Sequence, residues 1–185
     1  MVQNSFFQLR NINKIKSLLT TTDLEKLIHA FISSRLDYCN SLFTTLSRSS
    51  LHRLQLVQNA AARLLTNTYR RYHITPVLAS LQWLPITCRI YFKICLITFK
   101  ALHGLAPEYL AELLVPKRNV RPLRSSNKGL LAVPKTYLKS KGDRAFAVVA
   151  PTLWSGLPQS IKDAESVETF KKLLKTHLFR IRFSL

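Results

Sequence analysis

Leu51, Leu54, Val57, Ala61, Leu64 and Leu65 recur at steps of three and four, the period of a helix with one buried face and not of a strand. The same spacing links Phe6, Leu9, Ile12, Ile15 and Leu19, and again Leu24, Leu27, Ile28, Phe31 and Ile32. One amphipathic helix cannot hide its stripe alone, so three joined by short Ser/Thr linkers predict a compact bundle over residues 1–68. Only four glycines among 185 residues, against many Leu, Ile, Ala and Lys, push further towards helix. The expected fold is mainly α.

Local signals fill in the rest. Thr22 followed by Glu25 reads as a capping box opening the second helix, which is expected to run on towards Leu42 and Leu46. Ser49 and Ser50 supply the next start. A helical connector and a long apolar helix then occupy residues 69–115. Tyr69-Arg70-Arg71-Tyr72-His73 is basic and aromatic, and Thr75 with Pro76 reads as cap and first helical residue. Pro85 opens the apolar helix from Ile86 to His103, Gly104 ends it, and Pro107 to Leu114 forms a short helix. Residues 116–185 form the third division, a basic, proline-containing loop and a helical C-terminal segment. The loop runs to Gly142, with Leu130 to Val133 a candidate member of a short strand pair. Arg144 to Trp154 reads either as helix up to Pro151 or as an apolar segment beneath the loop. Ser166 caps a last helix with Val167, Phe170, Leu174, Leu178 and Ile181 on one stripe.

Charge narrows the partners. Twenty-eight Lys and Arg stand against nine acids, a net +19. Between Asp37 and Glu108 there is no acid but eight Lys or Arg, and the same holds from Leu113 to Gly142. A chain this self-repelling suits polyanions, nucleic acid first and an anionic membrane surface second. No run of about 18 apolar residues occurs, so no transmembrane segment is expected. Cys39, Cys88 and Cys95 are odd in number and scattered, which points to buried free thiols in a reducing compartment and an intracellular, cytoplasmic or nuclear location.

Catalytic groups do not converge. The acids are dispersed, and Glu108 with Glu112 reads as a solvated pair in a first helical turn. Cys88, Cys95 and His103 lack a CxxC pair and a fourth ligand. His29, His52, His73 and His177 have no partner that spacing identifies, and the four single glycines build no phosphate loop. No catalytic residue, metal or cofactor is therefore expected, and the chain reads as a non-enzyme.

A set of blocks then points to a family. Leu36-Asp37-Tyr38-Cys39-Asn40-Ser41-Leu42-Phe43, with Leu27 to Arg35 before it, is followed by Leu54-Gln55-Leu56-Val57-Gln58-Asn59-Ala60-Ala61-Ala62-Arg63-Leu64-Leu65. Downstream stand Leu81-Gln82-Trp83-Leu84-Pro85-Ile86, Lys100-Ala101-Leu102-His103-Gly104-Leu105-Ala106-Pro107, Gly142-Asp143-Arg144-Ala145-Phe146 and Pro151-Thr152-Leu153-Trp154. Together these resemble the region after the palm in LINE-type non-LTR retrotransposon reverse transcriptases, most nearly the chicken-repeat-like branch, from about Phe6 to Phe183. The resemblance implies a thumb-like bundle up to about Asn67 that holds template–primer duplex, and a C-terminal segment that binds element RNA. It also implies that fingers, palm and endonuclease lie outside this fragment. The family's metal-binding Asp-Asp motif has no counterpart here, since no two aspartates are adjacent.

The expected activity is sequence-tolerant binding of RNA or RNA–DNA duplex, with other parts of a reverse transcriptase as further partners, or else no selected function. Phosphate contacts fall to Arg63, Arg70 and Arg71, and to the loop residues Lys117, Arg118, Arg121, Arg124, Lys128, Lys135, Lys139, Lys141 and Arg144. Tyr69 and Tyr72 either stack on unpaired bases or pack against the preceding helix. The loop cations either contact phosphate or form a solvated face. The competing class is a host co-opted helical protein–protein module, which would expose Phe6, Phe7, Phe43 and Trp83 as a patch.

Overall fold

A computed structural model describes residues 1–117, 130–138 and 142–183. Among them are ten α-helices and no strand, so the fold is mainly α as the periodicity predicts. The helices are α1 (Val2–Ile15), α2 (Thr21–Ile28), α3 (Ser34–Asp37), α4 (Arg48–Thr66), α5 (Ile74–Ser80), α6 (Ile86–Leu102), α7 (Glu108–Glu112), α8 (Phe146–Ser155), α9 (Gln159–Lys162) and α10 (Val167–Phe183). In place of a short strand pair there is one isolated antiparallel bridge, Pro116 with Leu131. The chain divides into two compact units, Met1–Arg89 with Ile181–Leu185, and Ile90–Arg180.

In the first unit α4 is the central helix, packed by α1, α2 and α5. Leu54, Val57, Ala61 and Ala62 are buried along it and meet Leu9 and Ile12 of α1 and Leu24 and Ile28 of α2 in one core. Burying each of the larger aliphatic side chains favours folding by roughly 1.5–3 kcal/mol. The second helix departs from expectation. Its cap is Thr20, whose hydroxyl oxygen accepts the Asp23 N–H at 3.2 Å, two residues before the Thr22–Glu25 box. Nor does it reach Leu42. A π-helical turn, His29–Ser33, joins α2 to α3, and the helix ends where Cys39 turns left-handed (φ 49°) into a 3-10 stretch. The buried stripe explains the turn: Leu24, Ile28, Ile32 and Leu36 lie at steps of four. Each such step overshoots one ideal α turn by about 40°. One wider π turn brings the stripe back over the core.

α4 begins under a different serine from those expected, because Ser47 accepts the Ser50 N–H at 3.2 Å. Its interior carries a buried amide. Gln58 is 1% exposed, and its Nε2 donates to the Leu84 carbonyl at 2.8 Å. Gln55 Nε2 donates to Gln58 Oε1 (2.9 Å) and Asn59 Oδ1 (2.8 Å), while Gln55 Oε1 accepts the first N–H of α6, that of Ile86, at 2.9 Å. Arg89 locks the same corner, donating to the Leu84 carbonyl and to Asp37 Oδ2 at 2.7 Å. α5 starts one residue before the expected Thr75 cap, with His73 in the cap position.

The second unit packs on aromatic rings. Phe99 lies between His103 (4.0 Å between centroids) and Phe170 (4.2 Å), and Trp154 stacks on Phe170 at 6.0 Å. Gly104, at φ +67°, follows α6 in the left-handed conformation that glycine adopts without strain. α8 runs straight through Pro151 instead of stopping there, and the ring is buried. Ser166 caps α10 as expected, accepting the Thr169 N–H at 3.1 Å. The cysteines divide: Cys95 is buried, Cys88 half-buried and Cys39 exposed, and all three are free thiols.

Candidate nucleic-acid interface

The basic aromatic connector starts where α4 stops. Asn67 takes the left-handed conformation (φ 55°) that ends a helix, and the Thr68 N–H folds back to the Arg63 carbonyl at 3.1 Å. The chain then makes a tight turn, with the Tyr72 N–H donating to the Tyr69 carbonyl at 3.2 Å. Arg63 clamps this turn from the side. Its two terminal nitrogens donate to the Tyr69 carbonyl at 2.7 Å and the Tyr72 carbonyl at 2.8 Å. The guanidinium's fixed fork suits two acceptors held side by side.

Arg71 lies over both tyrosines, 5.4 Å from the Tyr69 ring centre and 5.3 Å from that of Tyr72, and the rings themselves are 6.4 Å apart. Such a cation–π contact at an exposed place contributes about 0.5–1 kcal/mol. Tyr69 is 70% exposed and Tyr72 53%, so neither ring is packed away against α4. Both keep faces on which an unpaired base can stack.

Beside this turn lies a cleft of about 750 Å³ between α1 and α4, lined among others by Phe6, Lys16, Asn59, Arg63, Tyr69 and Arg70. No acid lines it. Lys16, which sequence reasoning did not single out, reaches from α1 to the end of α4. Its Nζ donates to the Leu64 carbonyl at 2.8 Å and to Asn67 Oδ1 at 3.1 Å. A cation there satisfies an orphan carbonyl and complements the negative end of the helix dipole. A second cleft, of about 370 Å³, opens beside the first turns of α4 and α6 and is lined by Arg48, His52, Gln55, Asn59, Thr87 and Arg182 together with apolar side chains. It too lacks acids among the described residues, and Asn59 belongs to both clefts.

The remaining expected contacts belong to the other unit or lie outside the described residues. Lys117 and Lys135 are exposed, and Arg144 is half-buried in the other unit. Arg118, Arg121, Arg124, Lys128, Lys139 and Lys141 lie outside the described residues. The patch expected of a protein–protein module does not form as a set: Phe7 is exposed, Phe6 and Phe43 are half-buried, and Trp83 is buried with its ring 5.6 Å from His29. His29 is not isolated either, standing 3.2 Å from Ser33 Oγ and 3.5 Å from Glu25. Among the described residues no three His, Cys, Asp or Glu side chains are grouped to hold a metal ion, and no helix is long and apolar enough to cross a membrane.

Compared with known proteins, the chain matches no family model, no curated protein and no solved structure.

Proposed function

We propose that this chain is a nucleic-acid-holding part of a LINE-type reverse transcriptase, without the catalytic palm, that grips RNA or an RNA–DNA hybrid inside the cell. The observation that carries the proposal is the acid-free cleft holding Lys16, Arg63 and Arg70 beside the exposed Tyr69–Arg71–Tyr72 stack. Cations draw the phosphate backbone, and base faces find the tyrosine rings, so binding tolerates any sequence. Arg63 acts here mainly through the turn it holds, because its donors are already engaged by two carbonyls. Arg70 is left as the exposed cation of the cleft. The chain does no chemistry on its ligand in this reading. The resemblance of the blocks around Leu36–Phe43 and Leu54–Leu65 to the reverse transcriptase thumb supports the same role.

The test is fluorescence anisotropy with a structured RNA and an RNA–DNA duplex over a range of salt. Contact with about six phosphates gives a log–log salt slope of about −4 to −5. Binding that is absent at low ionic strength, or indifferent to salt, overturns the proposal.

A further inference from the structure

We infer that the two clefts form one track along α4 for a single strand of nucleic acid, an inference that rests on the binding role proposed above. Arg48, His52, Gln55, Asn59 and Arg63 follow one another at steps of four, three, four and four, so they share one face of α4. From Arg48 to Arg63 that face is about 22 Å long at 1.5 Å per residue. Asn59, near its middle, lines both clefts.

The chemistry alternates along the track. One end has Lys16, Arg63 and Arg70, and the other has Arg48, His52 and Arg182. Between them stand the amides of Gln55 and Asn59 and the side chain of Leu56. Among the described residues no carboxylate lines either cleft and no ion pair engages Arg48 or Arg182. Two cationic ends and an uncharged middle suit a strand whose backbone is held at both ends while its bases cross the amides. The face accommodates roughly four to six nucleotides, given about 3.4 Å per nucleotide in a helical strand and more when extended.

The clefts favour one strand over two. They are recessed between helices, which admits a single backbone more readily than a paired one. The Tyr69–Arg71–Tyr72 stack at one end offers ring faces, and only an unpaired base has a free face to give them. The strand therefore lies with an unpaired base on Tyr69 or Tyr72 and phosphates running towards Arg48 and Arg182.

The experiment uses the full chain with an 8-nucleotide oligouridylate, a 3-nucleotide oligouridylate and an 8-base-pair RNA–DNA duplex at fixed low salt. The 8-mer should bind at least tenfold more tightly than the 3-mer. The double variant Arg48→Gln, Arg182→Gln should lose about tenfold on the 8-mer, flatten its salt slope by about one to two units, and leave the 3-mer unchanged. Arg48→Lys, Arg182→Lys should restore most of the loss, which a mere folding defect would not allow. Photo-crosslinking of 4-thiouridine at either end of the 8-mer to the unaltered chain gives a second reading. One terminus should label Tyr69 or Tyr72 and the other the Arg48–His52 turn. An 8-mer that binds the glutamine variant as tightly as the original, a duplex that outcompetes the single strand, or both termini labelling the same residues overturns the track while leaving the binding role intact. Failure of the original chain to bind any of the three overturns the binding role and the track together.

Discussion

Arg63 reaches nine residues along the chain to donate to the carbonyl oxygen of Tyr72 at 2.8 Å. The same guanidinium holds the Tyr69 carbonyl, so the shape of the basic connector depends on a helix side chain as well as on the connector's own contacts. Arg63→Ala removes both donors and lets the turn loosen. The half-exposed setting keeps the cost to about 1 kcal/mol. The Tyr72 amide should then exchange with solvent roughly fivefold faster, since about 1.4 kcal/mol is a factor of ten. Arg63→Lys keeps the charge but not the fork, so it should leave the turn nearly as loose as Arg63→Ala does and should not restore amide protection. Equal protection in Arg63→Lys and the unaltered chain would show that the clamp does not need its two-pronged geometry.

Gln58 supplies a second prediction. Its side-chain amide is buried in α4 and tied to the Leu84 carbonyl and the Gln55 amide. Gln58→Ala opens a cavity and leaves a buried carbonyl with one donor fewer, a combined loss of about 2–4 kcal/mol. Arg89 Nε still donates to that carbonyl, which holds the value towards the lower end. Urea unfolding followed by circular dichroism measures it, and a change below 0.5 kcal/mol, on the order of an ordinary surface substitution, would contradict the structural role.

The three thiols should react in order of exposure. Cys39 is exposed, Cys88 half-buried and Cys95 buried. Burial pushes the Cys95 thiol from 9.0 up to about 12, and burial also raises that of Cys88 against smaller opposing effects of Thr87 and Arg182. A disulfide reagent at neutral pH should label Cys39 within the mixing time, Cys88 slowly, and Cys95 only on unfolding. The raised value also sets the sign of a pH effect. Below pH 9.0 Cys95 is protonated whether the chain is folded or not, and its contribution to stability is fully present. Between 9.0 and about 12 only the unfolded chain ionises it, so stability falls across that window. Cys95→Ala should lose less stability over the same window than the unaltered chain, as read from urea midpoints at pH 8 and pH 10.

Much of the fold was legible because burial imposes a period. The stripes of α4 and α10 are written in Leu54, Val57 and Ala61 and in Phe170 and Leu174, which are buried as their spacing predicts, although Ile181 at the end of the α10 stripe is exposed. The starts were less legible, since three consecutive threonines (Thr20 to Thr22) and three close serines (Ser47, Ser49 and Ser50) all offer capping hydroxyls. Only tertiary packing selects among them. The π turn was hidden for a different reason: a repeat of four reads as ordinary helix until its drift is added up. At the site, charge located Arg70 and Arg71 but not the partnership of Lys16 with Leu64, which links residues 48 apart through a side chain and a backbone oxygen. The face shared by Arg48, His52, Asn59 and Arg63 was present in the spacing, but it is masked by the stronger apolar stripe of the same helix.

Pro151 gives the last prediction, and its sign turns on two opposed magnitudes. The ring stands inside α8, where it cannot donate to the Ala147 carbonyl and crowds the preceding turn. A proline in a helix interior costs about 3 kcal/mol relative to alanine. Against that, the ring is fully buried, and replacing it with a methyl group removes about two methylenes, worth roughly 0.8 kcal/mol each, and leaves a small void. The helix gain exceeds the packing loss, so Pro151→Ala should raise stability by about 1 kcal/mol, seen as a higher urea midpoint with an unchanged slope. Pro151→Gly separates the two effects: it loses the same ring but regains less helix, by about 1 kcal/mol, and should fall near the unaltered chain. A midpoint that drops in Pro151→Ala would mean that the ring's packing beside Ala150 and Trp154 outweighs the backbone bond it forgoes.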